Sequence, residues 1–261
     1  MKKIILTSLI SLMLATNVSA GTDGENSLSK KNSGEVKDCF EGVNRATFKF
    51  NQVLDGVIFE PVAKVYRVLP SPVRAGTSNA LDNLSTLVTI PNNILQGNFK
   101  KAGVNTGRFI VNTTVGVIGI FDVAKKIGFP EYEKEDYGQT LGVMGVGPGC
   151  YVVLPVLGPS TIRDTAGSFA NLLGGDAWYN VTVINDTQHF SDFDYYASRA
   201  SSGIDYRAKN IDSFENLEKN SMDFYASVRS LYLQDRQQKI VNSNSVTETR
   251  DDSDWEEIEN Q

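Results

Sequence analysis

The sequence predicts an all-α protein built of amphipathic helices and interrupted by one Gly/Pro-rich, hairpin-like loop. Three stretches carry that reading. Val43 to Ile58 repeats its apolar residues at about 100° per residue, the period of a helix. Asp205 to Val241 contains neither Gly nor Pro, and Ile211, Phe214, Leu217, Phe224, Tyr225, Val228, Leu231 and Tyr232 recur there at helical spacing. Between them, Gly138 to Ile162 carries no charged side chain, yet its six glycines and three prolines rule out a continuous helix.

The elements follow in chain order. In the first helix Val43, Ala46, Phe50, Val53, Leu54, Val57 and Ile58 share one face. Asn44, Arg45, Lys49, Asn51, Gln52 and Asp55 share the other, with Phe48 left among them. Pro61 starts a short second helix, Val62 to Leu69, which Pro70 and Pro72 stop. Pro91 and Gly97 punctuate the next stretch, and Asn98 caps a helix running to about Thr114. Tyr151 to Leu154 reads as a short strand in a hairpin or as an irregular apolar loop. Ser160 caps a helix through about Leu173. The segment 205–241 is one long helix or two that meet near Asn220-Ser221. No internal repeat accompanies these elements.

The chain has 261 residues, 41% of them hydrophobic, enough for a sizeable core and for one or two domains. We read a single helical domain over residues 39–241. Met1 to Ala20 has the form of a secretory signal: Lys2 and Lys3, an apolar run from Ile4 to Ala15, then Val18-Ser19-Ala20 as the cleavage site. Residues 21–38 are polar and read as a flexible arm, and 242–261 as an acidic disordered tail. Losing the signal moves the net charge from −6 to −8, of which −6 sits in that tail. The body is close to neutral. No basic surplus is left to neutralise nucleic-acid phosphates.

Catalytic chemistry finds little support. His189 is the only imidazole, in a loop with Asp186, Asp192 and Asp194, and reads as a surface histidine. No Gly-x-Ser-x-Gly elbow exists to make a hydrolase. Asp192 and Asp194 lack the surroundings of an EF-hand. Gly142, Gly145, Gly147 and Gly149 lack the Lys-Ser/Thr of a phosphate loop and read as tight turns or close packing. Asn83, Asn112, Asn180 and Asn185 open Asn-x-Ser/Thr triplets, a pattern that arises readily by chance. No cofactor or metal is expected. Cys39 and Cys150 are the only cysteines of an exported chain, which favours a disulfide; two separate buried thiols are the alternative.

One helix carries a distinctive pattern. Lys101, Asn105, Arg108 and Asn112 form a polar stripe along the segment from Asn98 to Thr114, between apolar flanks of Val104 and Val111 on one side and Phe99, Ala102, Phe109 and Ile110 on the other. Such a strip suits a wall along which a phosphate head group slides, with Arg108 as its bidentate partner. The alternative is that Arg108 pairs with an acid such as Asp122 or Asp136.

A set of motifs runs through the whole body: Glu41-Gly42-Val43-Asn44-Arg45 with Phe48, Phe50 and Asn51; Pro61-Val62-Ala63; Asn83-Leu84; Leu95-Gln96-Gly97; and Arg108-Phe109 with Asn112-Thr113. The most specific block is Glu135-Asp136-Tyr137-Gly138-Gln139-Thr140-Leu141-Gly142, followed by Gly145-Val146-Gly147. Leu154-Pro155, Leu157-Gly158-Pro159-Ser160, Arg163-Asp164, Asp205-Tyr206-Arg207-Ala208 and Tyr232-Leu233-Gln234-Asp235-Arg236 complete the order. Over roughly residues 38–240 the chain resembles the MlaA (VacJ) family of outer-membrane phospholipid-transport proteins.

The resemblance implies a ring-like helical protein in the periplasmic leaflet of the outer membrane. It implies the removal of misplaced glycerophospholipids from the outer leaflet, delivery to a soluble periplasmic lipid carrier, and association with trimeric porins. Tyr137 to Pro159 reads as a mobile element beside the lipid path, its glycines permitting unusual backbone angles and Val143, Met144, Val146, Val152, Val153 and Leu154 giving it an apolar surface, with a packed core loop as the alternative; the resemblance implies a gate-like hairpin here. The lipid path expected from these readings comprises Lys101, Asn105, Arg108, Asn112, Phe50, Asn51, Met144 and Val152. Members commonly carry a lipid-anchored Cys after the signal; here Gly21 follows Ala20, so attachment without an acyl anchor is expected. Cys39 and Cys150 stand where many members have proline, and Met144 replaces a usual aromatic. A soluble periplasmic lipid carrier is the rival reading, and a secreted hydrolase a distant third.

Overall fold

The structure, a computed structural model, describes residues 36–184 and 190–244. The signal segment, nearly all of the N-terminal arm, His189 and the acidic end beyond 244 lie outside the described residues. Eleven helices, including short ones of three and four residues, and one two-stranded hairpin make up the described part.

The first helix, α1 (Glu41–Leu54), passes through a wide π turn at Asp55–Phe59 into α2 (Glu60–Arg67). As expected, Pro61 sits in the first turn of α2, yet the backbone stays helical across the junction, where the Glu60 N–H bonds back to the Asp55 carbonyl. A long helix, α3 (Ser71–Leu95), then runs straight through Pro91. This departs from the expected punctuation at Pro91. The buried side chains of Asn92 and Asn93 tie that end down, Asn92 Nδ2 to the Val88 carbonyl at 2.8 Å, and Asn93 Oδ1 to Asn105 Nδ2 at 2.7 Å. The antiparallel partner is α4 (Phe99–Thr114), capped as expected by Asn98, whose side chain accepts the Lys101 N–H.

A single short turn, α5 (Val123–Lys126), leads to α6 (Tyr137–Val143). The hairpin follows: β1 (Tyr151–Leu154) pairs antiparallel with β2 (Gly158–Thr161), in the register Tyr151↔Thr161 to Leu154↔Gly158. Next comes α7 (Ile162–Ala170), capped by Thr161 rather than the expected Ser160. Thr161, the last residue of β2, accepts the Asp164 N–H, while the Ser160 hydroxyl pairs with that of Thr165. A second wide turn (Asn171–Gly175) and the short α8 (Ala177–Tyr179) lead to α9 (Asp192–Lys209), α10 (Ile211–Asn220) and α11 (Phe224–Asn244). The break beside Ser221 is as expected; a further one at Asn210 puts Asp205 to Lys209 on the preceding helix. Asp194 is spent on a capping box with Ser191 at the start of α9.

Two features fix the hairpin. Cys39 and Cys150 form a disulfide, with Cα atoms 5.6 Å apart across 111 positions. Val36 to Asp38, assigned to the arm from sequence, is ordered beside it, and the Lys37 carbonyl accepts the Tyr151 N–H at 2.9 Å. The helices α6 and α7 touch backbone to backbone: a Cβ on Gly167 would stand 2.3 Å from the Gly138 nitrogen.

The burial pattern is inverted. Among the described residues, 23 polar or charged side chains are buried against 11 apolar ones. On α1 the face that packs holds Asn44, 3% exposed, while Val43 is 67% exposed and Val57, in the π turn that follows, 71%. Phe48, the apolar misfit of that polar face, stacks edge-on against Phe224 and Tyr225. The same inversion marks α2, where Ala63 is buried and Val65 exposed, and α4, where Asn105, Arg108 and Asn112 are buried and Phe99 and Ile110 exposed.

Candidate functional site

A cavity of about 330 Å³ opens between α3, the segment before α6, the hairpin, α7, α9 and α11. Its polar wall is built from Lys134, Asp136, Asp164, Arg199 and Arg236; Leu154, Leu157 and Pro159 of the hairpin supply apolar surface. Arg236 on α11 organises that wall. Its guanidinium donates to Asp136 at 2.6 and 2.9 Å and to Asp164 at 2.9 and 3.2 Å. Asp164 also receives Arg163 and the Tyr232 hydroxyl.

The Gly138–Gly167 contact is what brings these acids together. Asp136 caps α6 just before Gly138, and Asp164 precedes Gly167 by one turn of α7. Burial pushes both carboxyls up, but the Arg236 hydrogen bonds and charge outweigh it, and both lie below the usual carboxylate range. Burial also raises the Glu135 carboxyl, which Gln96 and Ser243 hydrogen-bond from either side. Arg199 pairs with the buried Asp176. Lys134 remains solvent-accessible, yet the walls crowd it and, with the Arg199 charge, lower its ammonium pKa.

The residues expected to form a lipid path lie elsewhere, and none of the eight lines this cavity. Lys101 pairs with Glu133 at 2.8 Å. Asn105 bonds Asn93 across the α3–α4 contact. Arg108 is only 4% exposed: its guanidinium donates to both Asp122 oxygens at 2.8 and 2.9 Å and to the Pro130 carbonyl at 2.6 Å. Asn112 donates to Asp122 and accepts the Ala124 N–H. The stripe therefore packs inward as a hydrogen-bonded seam, which is the ion-pair alternative for Arg108. Asn83 and Asn112, both in glycosylation-type triplets, are buried in this region as well.

Phe50 faces outward, 54% exposed. Asn51 grips the hairpin, donating to the Leu154 carbonyl and accepting the Val156 N–H, each at 2.8 Å. Met144 is exposed at the turn after α6, and Val152 is half-buried on β1. Sequence reasoning passed over Lys134, Arg199 and Arg236 as site residues. Only Arg236, with its partners Asp136 and Asp164, stood inside a recognised motif.

With this geometry in place, similarity to known proteins is informative. The family model described as MlaA lipoprotein matches residues 36–239. The chain is 37% identical over 202 residues to the Escherichia coli protein named "Intermembrane phospholipid transport system lipoprotein MlaA", covering 76% of each chain. It is 31% identical to the Haemophilus influenzae protein of the same name, over 95% of this chain and 94% of that one. An uncharacterized protein of Rickettsia bellii is 34% identical over 208 residues, 79% of this chain and 78% of its own. A solved structure described as "Structural basis for maintenance of bacterial outer membrane lipid asymmetry" superposes with a TM-score of 0.68 at 35% identity, covering 78% of this chain and 99% of that one. The mostly helical architecture and the match over nearly all described residues agree: the chain belongs to the MlaA lipoprotein family.

Proposed function

We propose that this protein transports glycerophospholipid at the outer membrane and maintains that membrane's lipid asymmetry, drawing misplaced lipid from the outer leaflet and passing it to a soluble periplasmic carrier. The observation that carries the reading is the inverted packing of α1, α2 and α4. A chain surrounded by water buries its large apolar side chains and rarely leaves them in contiguous exposed faces. A surface of Val43, Phe50, Val53, Val57 and Val65 over a hydrogen-bonded polar interior is instead stabilised by hydrocarbon. No described helix is long and apolar enough to cross a membrane. These faces suit a body lying within one leaflet, held by amphipathic helices.

The relatives' names supply the cargo, phospholipid moved between membranes. The cavity offers the polar surroundings a head group needs while its acyl chains stay among lipids. At about 330 Å³ it lies near the lower end of the roughly 300–1,000 Å³ of small-ligand pockets, suited to a head group rather than a whole diacyl lipid. Such movement makes and breaks no covalent bond, so no catalytic residue is assigned. The family resemblance adds a trimeric porin as a neighbour in the membrane.

The test is to purify the protein from intact outer membranes in mild detergent and identify bound lipid by mass spectrometry, with the periplasmic wash analysed in parallel. Recovery in the membrane fraction with stoichiometric glycerophospholipid is expected. Recovery in the wash would make it a soluble carrier instead.

A further inference from the structure

The charged wall of the cavity is neutralised in pairs with one cationic exception. Arg236 is held by Asp136 and Asp164, and Arg199 by Asp176. Lys134 alone among the lining cations has no carboxylate within ion-pair distance among the described residues. A second lining group is also unsatisfied: the side-chain oxygen of Asn171, at the start of the turn after α7, is buried and accepts no hydrogen bond. Buried acceptors are nearly always paired, and leaving one unpaired costs about 1–3 kcal/mol. Both residues line one cavity: Lys134, solvent-accessible and without a carboxylate partner, and Asn171, whose amide oxygen is buried and unpaired.

We propose that this pair selects among phospholipid head groups, Lys134 taking the phosphodiester and the Asn171 oxygen accepting a hydrogen bond from a head group that carries a donor, an ethanolamine ammonium or a glycerol hydroxyl. A choline head group has no N–H or O–H to give, so it leaves the Asn171 oxygen unpaired. Both groups already lie beside Leu154, Leu157 and Pro159, which can meet the glycerol backbone and the first methylenes. The lowered Lys134 pKa fits this arrangement, because a crowded ammonium facing Arg199 gains from an arriving anion. The inference rests on the transport reading, since it takes the cavity to be where the head group passes.

The experiment measures binding of dihexanoyl phosphatidylethanolamine, phosphatidylglycerol and phosphatidylcholine, and of inorganic phosphate, to the full chain in detergent. The native protein, Lys134→Gln, Lys134→Arg and Asn171→Ala are compared, with a melting curve for each. The native chain should bind the first two lipids about tenfold or more tighter than the choline lipid, and far tighter than inorganic phosphate. Lys134→Gln should weaken all three lipids about tenfold, and Lys134→Arg should restore them. Asn171→Ala should erase the discrimination while leaving choline-lipid binding unchanged. Equal native binding of the three lipids, or unchanged binding by Lys134→Gln, overturns the selection and leaves transport standing. Inorganic phosphate binding as tightly as the lipids would make this a free-phosphate site. Failure of the native chain to bind any lipid removes the transport reading itself.

Discussion

Asn44 holds strand β1 through Val153: its side-chain oxygen accepts the Val153 N–H at 2.9 Å, while its nitrogen donates to the Tyr151 carbonyl at 3.0 Å. A helix side chain thereby acts as the missing neighbour of an edge strand. Asn51, two turns further along α1, repeats the arrangement at Leu154 and Val156. The hairpin wall of the cavity is thus anchored to α1 rather than free along its length.

Replacing Asn44 with Leu should leave two buried backbone groups unpaired and destabilise the fold by about 2–4 kcal/mol. Asn44→Asp should fare little better, since a carboxylate has nothing to donate to the Tyr151 carbonyl. Urea unfolding followed by circular dichroism reads both; a midpoint equal to that of the native chain would show that the hairpin is held by other contacts.

The disulfide reinforces the same edge. Cross-linking positions 111 apart removes unfolded-state freedom worth at most about 4–5 kcal/mol. Cys39→Ser/Cys150→Ser should therefore unfold at clearly lower urea, and thiol reductant should lower the midpoint of the native chain but not of the double variant. A reductant effect on the double variant would place its action elsewhere.

Acid should unfold the protein through Asp136 and Asp164. Their folded pKa values lie below the usual carboxylate value, so the stability they contribute is complete above the unfolded pKa of about 4. It drains away as pH falls through the depressed folded values. Arg236→Met should cost about 3–5 kcal/mol at neutral pH by leaving a buried carboxylate without its partner. It should also flatten the acid limb of the stability profile. An unchanged acid limb would contradict this assignment.

Arg108→Gln separates the seam from a lipid path. The buried ion pair with Asp122 predicts a loss of about 3 kcal/mol in stability. Lipid transfer per folded molecule should match the native rate. Slow transfer by a protein of native stability would return Arg108 to the head group.

What the sequence revealed divides along physical lines. Local signals read well: Asn98 caps α4 because a cap depends on three residues, and the hairpin alternative for Tyr151 to Leu154 follows from the flanking Gly and Pro. Periodicity located the two faces of α1 but not their surroundings, because an apolar stripe has the same spacing whether it meets a core or lipid. The polar stripe of α4 was visible for the same reason, and its burial was not, since Asn93 and Asp122 come from other elements. Arg236 reaches its acids across 100 and 72 positions, a pairing that no spacing rule contains.

Phospholipid exposed on the outer leaflet, labelled on intact cells, tests the central claim most directly. Cells deprived of this protein should show more surface-labelled glycerophospholipid, and the native gene should restore the original level. An unchanged level in its absence would contradict a role in outer-membrane lipid asymmetry.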